Sequence, residues 1–211
     1  DTYMETFPTW TPDGKSLYFT RAQGYQKGMA LDSIRYDLCR ISFDASTEKI
    51  GAPEMVLQAS AQNKSISFPC VSPNGKYLMF TLSDYGNFSI WHPESDLYIM
   101  DLTTGTTKNL ENVNSNDVDS YHTWSSSGHW FVFSSKRMDG LWARPYIAAF
   151  NPETGETGKA FLLPQKDPMF YDNYTYTYNR PELIKTAVKN GKEFEKIIQQ
   201  AAIPSTPKKI R

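Results

Sequence analysis

FPCVSPNGKYLMFT, residues 68–81, has two near-copies in the same chain, FPTWTPDGKSLYFT at 7–20 and YHTWSSSGHWFVFS at 121–134. The spacings, 61 residues from Phe7 to Phe68 and 53 from Phe68 to Tyr121, are those of one large supersecondary unit used three times. Such a unit buries its apolar faces against its neighbours, so the repeat governs the architecture ahead of any local propensity. In register, the copies share an aromatic (Phe7, Phe68, Tyr121), a bulky apolar residue (Trp10, Val71, Trp124), a turn glycine (Gly14, Gly75, Gly128) and an alternating run through Phe19, Phe80 and Phe133. Asp13-Gly14 and Asn74-Gly75 tolerate the positive φ of a tight turn, so each copy opens with a hairpin.

Downstream, DLCRISFD (37–44), DLYIMDLTTG (96–105) and RPYIAAFNPETG (144–155) align with Phe43, Leu102 and Phe150 in register. EMVLQ (54–58), TKNLE (107–111) and GKAFLLP (158–164) follow through short Gly- or Pro-bearing turns. Each unit therefore reads strand, tight turn, strand, long loop, strand, tight turn, strand. That is a four-stranded antiparallel blade, and the fold class is an all-β β-propeller of about three blades, at 1–58, 59–111 and 112–165.

The hairpin motif resembles the repeats of the TolB-like six-bladed propellers, in which Pro-x-Trp-Ser-Pro-Asp-Gly-Lys recurs. Pro8, Trp10, Pro12, Asp13, Gly14 and Lys15 match it; the second copy has Val71 and Asn74 for Trp and Asp, and the third has Ser126 and Ser127 for Pro and Asp. The resemblance covers roughly residues 5–165. It implies the fold, and a periplasmic or cell-surface location. Its members include protein-binding modules, peptidase accessory domains and sugar-acid lyases, so function must be argued from the site.

Composition sets bounds. With 39% hydrophobic and 14% aromatic residues the 211-residue chain can build a core, and a formal charge of −1 without a basic stripe speaks against a nucleic-acid binder. No apolar run approaches the ~20 residues of a membrane-spanning helix. The absence of Met or an apolar leader at Asp1 reads as a piece of a longer, processed protein. Cys39 and Cys70 align with different layers of different blades, which suits two small buried hydrophobes better than a disulfide.

Three blades make about half of a six-bladed ring, leaving two blade faces that carry Trp and Phe. Such faces exceed the apolar patches a soluble monomer tolerates, so a preceding N-terminal half, a second copy of the chain, or the tail must cover them. The tail, 166–211, departs from the repeat: Phe170 and four tyrosines (Tyr171, Tyr174, Tyr176, Tyr178) fall within nine residues. After them, apolar positions from Leu183 to Ala202 recur near helical period, with Pro181 as a first helical residue, Pro204 as a stop, and Asn190-Gly191 dividing two short helices. This tail is either a docking segment or a strap on the last blade.

Connections alternate between two rims. The tight turns share one; the long loops 21–36, 82–95 and 135–143 and the interblade stretches share the other, where a rigid scaffold usually carries its function. That rim concentrates aromatic, His and Arg residues, the composition of interface hot spots. Its candidate ligand-binding residues are Tyr85, Phe88, Trp91, His92, Asp117, Asp119, His122, Arg137 and Trp142. His122 replaces the proline of the first strand near Asp117 and Asp119, yet no second histidine shares its spacing, and His129 falls in a solvated turn. No Gly-x-Ser-x-Gly elbow is present. No catalytic residue, metal or cofactor is therefore assigned. The expectation is a non-catalytic exported module holding a protein or glycan, against the alternative of part of an enzyme: a metal-dependent sugar-acid lyase or the accessory propeller of a prolyl-oligopeptidase-type peptidase.

Overall fold

The computed structural model describes residues 2–187 together with 192, 193, 196 and 197. Three antiparallel sheets follow one another in chain order. Blade one runs β1 (Tyr3–Trp10), β2 (Ser16–Gln23), β3 (Asp37–Asp44), a short β4 (Lys49–Ile50) and β5 (Glu54–Leu57). Blade two runs β6 (Ser65–Val71), β7 (Tyr77–Ser83), β8 (Asp96–Asp101) and β9 (Thr107–Asn109). Blade three runs β10 (Asp119–Trp124), β11 (Trp130–Ser135), β12 (Arg144–Ala149) and β13 (Phe161–Leu162). Every unit is thus the expected up-and-down meander. The short β4 pairs Phe43 with Ile50 and Asp44 with Lys49, and the bridge of Phe150 to Thr157 repeats the first of these pairings in blade three.

The hairpin motif closes in the same way three times. Gly14, Gly75 and Gly128 take φ of 68, 72 and 73°, and their N–H groups donate to Thr11, Ser72 and Ser125. Inside the turn, Asp13 Oδ1 accepts from Thr11 Oγ1 and the Lys15 N–H, and Asn74 Oδ1 accepts from Ser72 Oγ and the Lys76 N–H. In the third copy Ser127 Oγ does the same work, 3.1 Å from Ser125 Oγ and accepting from the His129 N–H. The motif's Ser/Thr and Asp are therefore a local substitute for backbone hydrogen bonds, and a serine can stand in for the aspartate.

The first strands carry a second shared device. Each is broken by a register shift, between Thr6 and Thr9, Ser67 and Cys70, and Ser120 and Thr123. In each gap the repeat aromatic adopts positive φ: Phe7 at 54°, Phe68 at 53°, Tyr121 at 57°. Left-handed backbone in a non-glycine residue costs roughly 1–2 kcal/mol, so its recurrence needs a compensating contact. The three rings supply one, lying in a row with centroids 4.1 and 4.7 Å apart.

The core lies between sheets. Tyr18, Leu38 and Ala59 of blade one and its exit meet Ile66, Val71, Leu78, Phe80 and Met100 of blade two. On its other face blade two offers Tyr77, Met79, Leu97 and Ile99 to Phe131, Phe133, Tyr146, Ala148 and Phe150 of blade three. Alternation along each strand thus gives every blade one face toward its predecessor and one toward its successor.

Of the possible covers for the outermost faces, the tail covers blade three. Tyr178 N–H donates to Ala143 O, Ser134 Oγ to Asn179 O and Thr123 Oγ1 to Pro181 O, so residues 177–181 cross the sheet from β12 to β10. Tyr171 is buried and donates its hydroxyl to Leu163 O, while Phe170, Tyr174, Tyr176 and Tyr178 pack ring against ring. The helix expected from Pro181 is not formed over 181–187, which is irregular with a bend at 185–186; at its start Thr123 Oγ1 donates to the Pro181 carbonyl, where the strap leaves the sheet. Helical backbone occurs at 192, 193, 196 and 197; the break at Asn190-Gly191 and the stop at Pro204 lie outside the described residues.

Candidate functional site

The long-loop rim between blades two and three brings most of the candidate residues into one neighbourhood and gives them different surroundings. The loop from β7 to β8 is pinned by its own core: Ile90 packs with Val118 and Ala143, and Ser89 Oγ lies 2.6 Å from Ser120 Oγ. With its base buried, the loop holds its two largest rings outward. Phe88 is 68% and Trp91 71% exposed. The ammonium of Lys136, at the end of β11, sits 4.0 Å above the Trp91 ring centroid. Lys136 is itself buried, and among the described residues it joins none of the ion pairs. Its charge was not singled out in the sequence, because a lysine after a strand is indistinguishable from a solvated one until the loop above it is placed.

Tyr85 and His92 form an edge-to-face pair at 4.4 Å, and His92 Nδ1 lies 3.1 Å from Glu94 Oε1. They brace the foot of the aromatic loop. Trp142 is half-buried in the β11–β12 loop, where Asp139 Oδ1 accepts from its N–H.

Asp119 and Arg137 face one another inside blade three. Asp119 is fully buried; its carboxylate accepts from Arg137 and from the N–H and Oγ of Ser115. The Arg137 guanidinium also donates to Val113 O and Ser135 Oγ and stacks 4.4 Å from the Tyr146 ring. Burial pushes the Asp119 carboxyl above its ordinary range, with Arg137 opposing the shift. This pair fastens the loop at 113–119 to blade three. Asp117 caps the same turn through the Val118 N–H and reaches the backbone near Gly140.

His122 is fully buried between blades. Its Nε2 lies 3.1 Å from Met79 O, and its Nδ1 has no partner among the described residues. Burial, aided by the nearby Arg180 charge, lowers its pKa to about 3, so the ring is neutral and acts as an interblade tie. His129 is exposed in its turn, and Cys39 and Cys70 are free thiols. Among the described residues no three His, Cys, Asp or Glu side chains stand close enough together to hold a metal ion, and no helix is long and apolar enough to cross a membrane.

No protein-family model and no curated protein matches the chain. Solved structures do. An oligogalacturonate lyase in complex with manganese shares 12% identity at a TM-score of 0.51, over 76% of this chain and 43% of that one. The oligogalacturonate lyase of Vibrio parahaemolyticus gives 12% and 0.50, over 78% and 43%. The β-propeller domain of the Trilobed protease from Pyrococcus furiosus gives 14% and 0.44, over 79% and 44%. The chain spans less than half of each. At such identities the likeness concerns the fold: this is a partial β-propeller.

Proposed function

We propose that this chain is part of an exported, TolB-like propeller that binds a protein or glycan through its long-loop rim without catalysing a reaction on it. The observation that carries the reading is the exposure of Phe88 and Trp91, each more than two-thirds, on a loop whose base is packed, with the Lys136 ammonium over the Trp91 ring. Exposed rings held rigidly lose little entropy on binding and provide the flat apolar surface on which a sugar face or another side chain stacks. Lys136, which joins no ion pair among the described residues, adds a positive charge at that surface, which favours a ligand with a carboxylate or other acidic group beside its apolar face.

An array of glycans and peptides probed with the wild-type chain tests this. A ligand should be found whose binding falls about tenfold or more in Phe88→Ser/Trp91→Ser, in line with loss of a hot spot, and also in Lys136→Met. Trp130→Ala, on the tight-turn rim, should leave it unchanged. The enzyme-part alternative takes its support from the folds of the oligogalacturonate lyases and needs metal ligands that the described residues do not bring together. Turnover of oligogalacturonate by the full reading frame would replace the binding reading.

A further inference from the structure

Blade one presents a bare sheet face, and the repeat itself shows what such a face accepts. Trp10, Leu17, Ile41 and Phe43 hold the positions that Trp124, Phe131, Ala148 and Phe150 hold in blade three. There, Phe131, Ala148 and Phe150 are buried against blade two, and the Trp124 indole N–H donates to Cys70 O on the first strand of that blade. In blade one the same side chains have no blade before them. Trp10 is 52% exposed, with Leu17, Ile41 and Phe43 half-buried. A groove of about 200 Å³ between Pro8, Leu17, Phe19 and Ile41 marks the apolar gap.

The long-loop end of this face is polar and incomplete. A cavity of about 460 Å³ is lined by Arg21 and Arg35. Arg21 stacks on Tyr3 at 4.3 Å, and Arg35 donates to Asp32 O, but the Arg35 Nε–H is buried with no partner among the described residues. Asp37, in the same cavity, is taken up by the N–H and Oγ of Ser60. A buried donor without an acceptor is uncommon in a finished interior, and here it opens onto a surface that is itself unfinished.

We infer that this face is the docking surface of a further four-stranded blade of the same repeat, carried by the same polypeptide, and seated on blade one as blade one is seated on blade two. Its successor-facing side supplies aliphatic and aromatic residues to Leu17 and Ile41, its first strand supplies a carbonyl to the Trp10 indole, and its long-loop rim supplies acidic or carbonyl acceptors to Arg21 and Arg35. A second copy of the chain does not fit this role. Blade-on-blade contact is head to tail, and the only outer successor-facing side a copy could offer is that of blade three, which residues 177–181 already cover.

Oxidative footprinting of tryptophans tests the assignment, with Trp124 as the internal standard. In the 211-residue chain Trp10 should be modified faster than Trp124; in the polypeptide expressed from the complete reading frame its modification should fall about tenfold, to the level of Trp124, because opening of a packed interface then limits access. Trp10→Ala in that longer polypeptide should raise amide exchange across 16–23 and 37–44. Equal modification of Trp10 in both proteins overturns the inference, as does a reading frame that encodes no further blade. Protection of Trp10 in the 211-residue chain alone, dependent on concentration and abolished by Ile41→Asp, would assign the face to a second copy instead.

Discussion

Glu48 shows how finely the repeat can be read at single residues. The turns between third and fourth strands start on Asp44, Asp101 and Asn151 and close four residues later in left-handed backbone, on Glu48 at φ 53°, Gly105 at 74° and Gly155 at 71°. Glu48 is exposed and bears a strain its glycine counterparts lack. Glu48→Gly should therefore stabilise the chain by up to about 1 kcal/mol in urea unfolding, the relief of strain being only partly offset by the greater freedom of the unfolded chain. His122 gives the opposite kind of case, a residue whose surroundings no sequence pattern reveals. Its folded pKa of about 3 lies below the ordinary histidine value of 6.5, so the unfolded chain binds the proton more readily. Stability from this group is complete above pH 6.5 and is lost as pH falls from there toward 3. His122→Pro restores the residue that Pro8 and Pro69 place at the same point, in a register gap where no ladder N–H is needed. That variant should flatten the acid limb of a pH series of thermal midpoints; an unchanged limb would show that His122 does not govern it.

Elements obeyed the repeat wherever the repeat is local, and escaped it where partners come from elsewhere. The hairpins were legible from Asp13-Gly14 and Asn74-Gly75 because their hydrogen bonds close within a few residues, and even Ser127 preserves the pattern. Strand order and the division of tight and long connections followed. The roles of Asp119 and Arg137 did not, since an acid and a base in rim loops look the same whether they meet a ligand or each other. Their meeting depends on the turn at 113–119, held by Ser115. Breaking a buried pair leaves a charge uncompensated and costs roughly 3–5 kcal/mol, so Arg137→Leu should lower the thermal midpoint strongly, whereas Trp91→Ala, at the surface, should barely move it. The aromatic row offers a backbone test of the same kind. At φ 53°, Phe68→Gly and Phe68→Ala both forfeit the stacking with Phe7 and Tyr121, but only alanine retains the strain, so the glycine variant should be the more stable by about 1 kcal/mol. Equal stabilities would mean that residue 68 does not keep its left-handed backbone once the ring is removed. The tail was the least legible element: its apolar spacing suggested a helix from Pro181, but backbone contacts with Ala143, Ser134 and Thr123 draw it across blade three as a strap.

At the scale of the molecule, three blades form an arc whose two outer faces differ. One lies under the strap, and the other keeps Trp10 half exposed and the Arg35 Nε without a partner among the described residues. Along the arc the tight-turn rim is tied by contacts such as Asn74 to Pro152 O, and the long-loop rim holds Phe88 and Trp91 outward between blades two and three, Trp91 over the Lys136 ammonium. The functional claim rests on that asymmetry between rims, and the tryptophans report on both at once. Trp91 stands on the long-loop rim and Trp130, 40% exposed beside Phe161, on the other. The deciding measurement is the oxidative footprint of the chain with and without the best-bound glycan or peptide of the array. The account predicts that ligand shields Trp91 and leaves Trp130 at its free rate. Shielding of Trp130 with Trp91 unchanged would place binding on the opposite rim and contradict it.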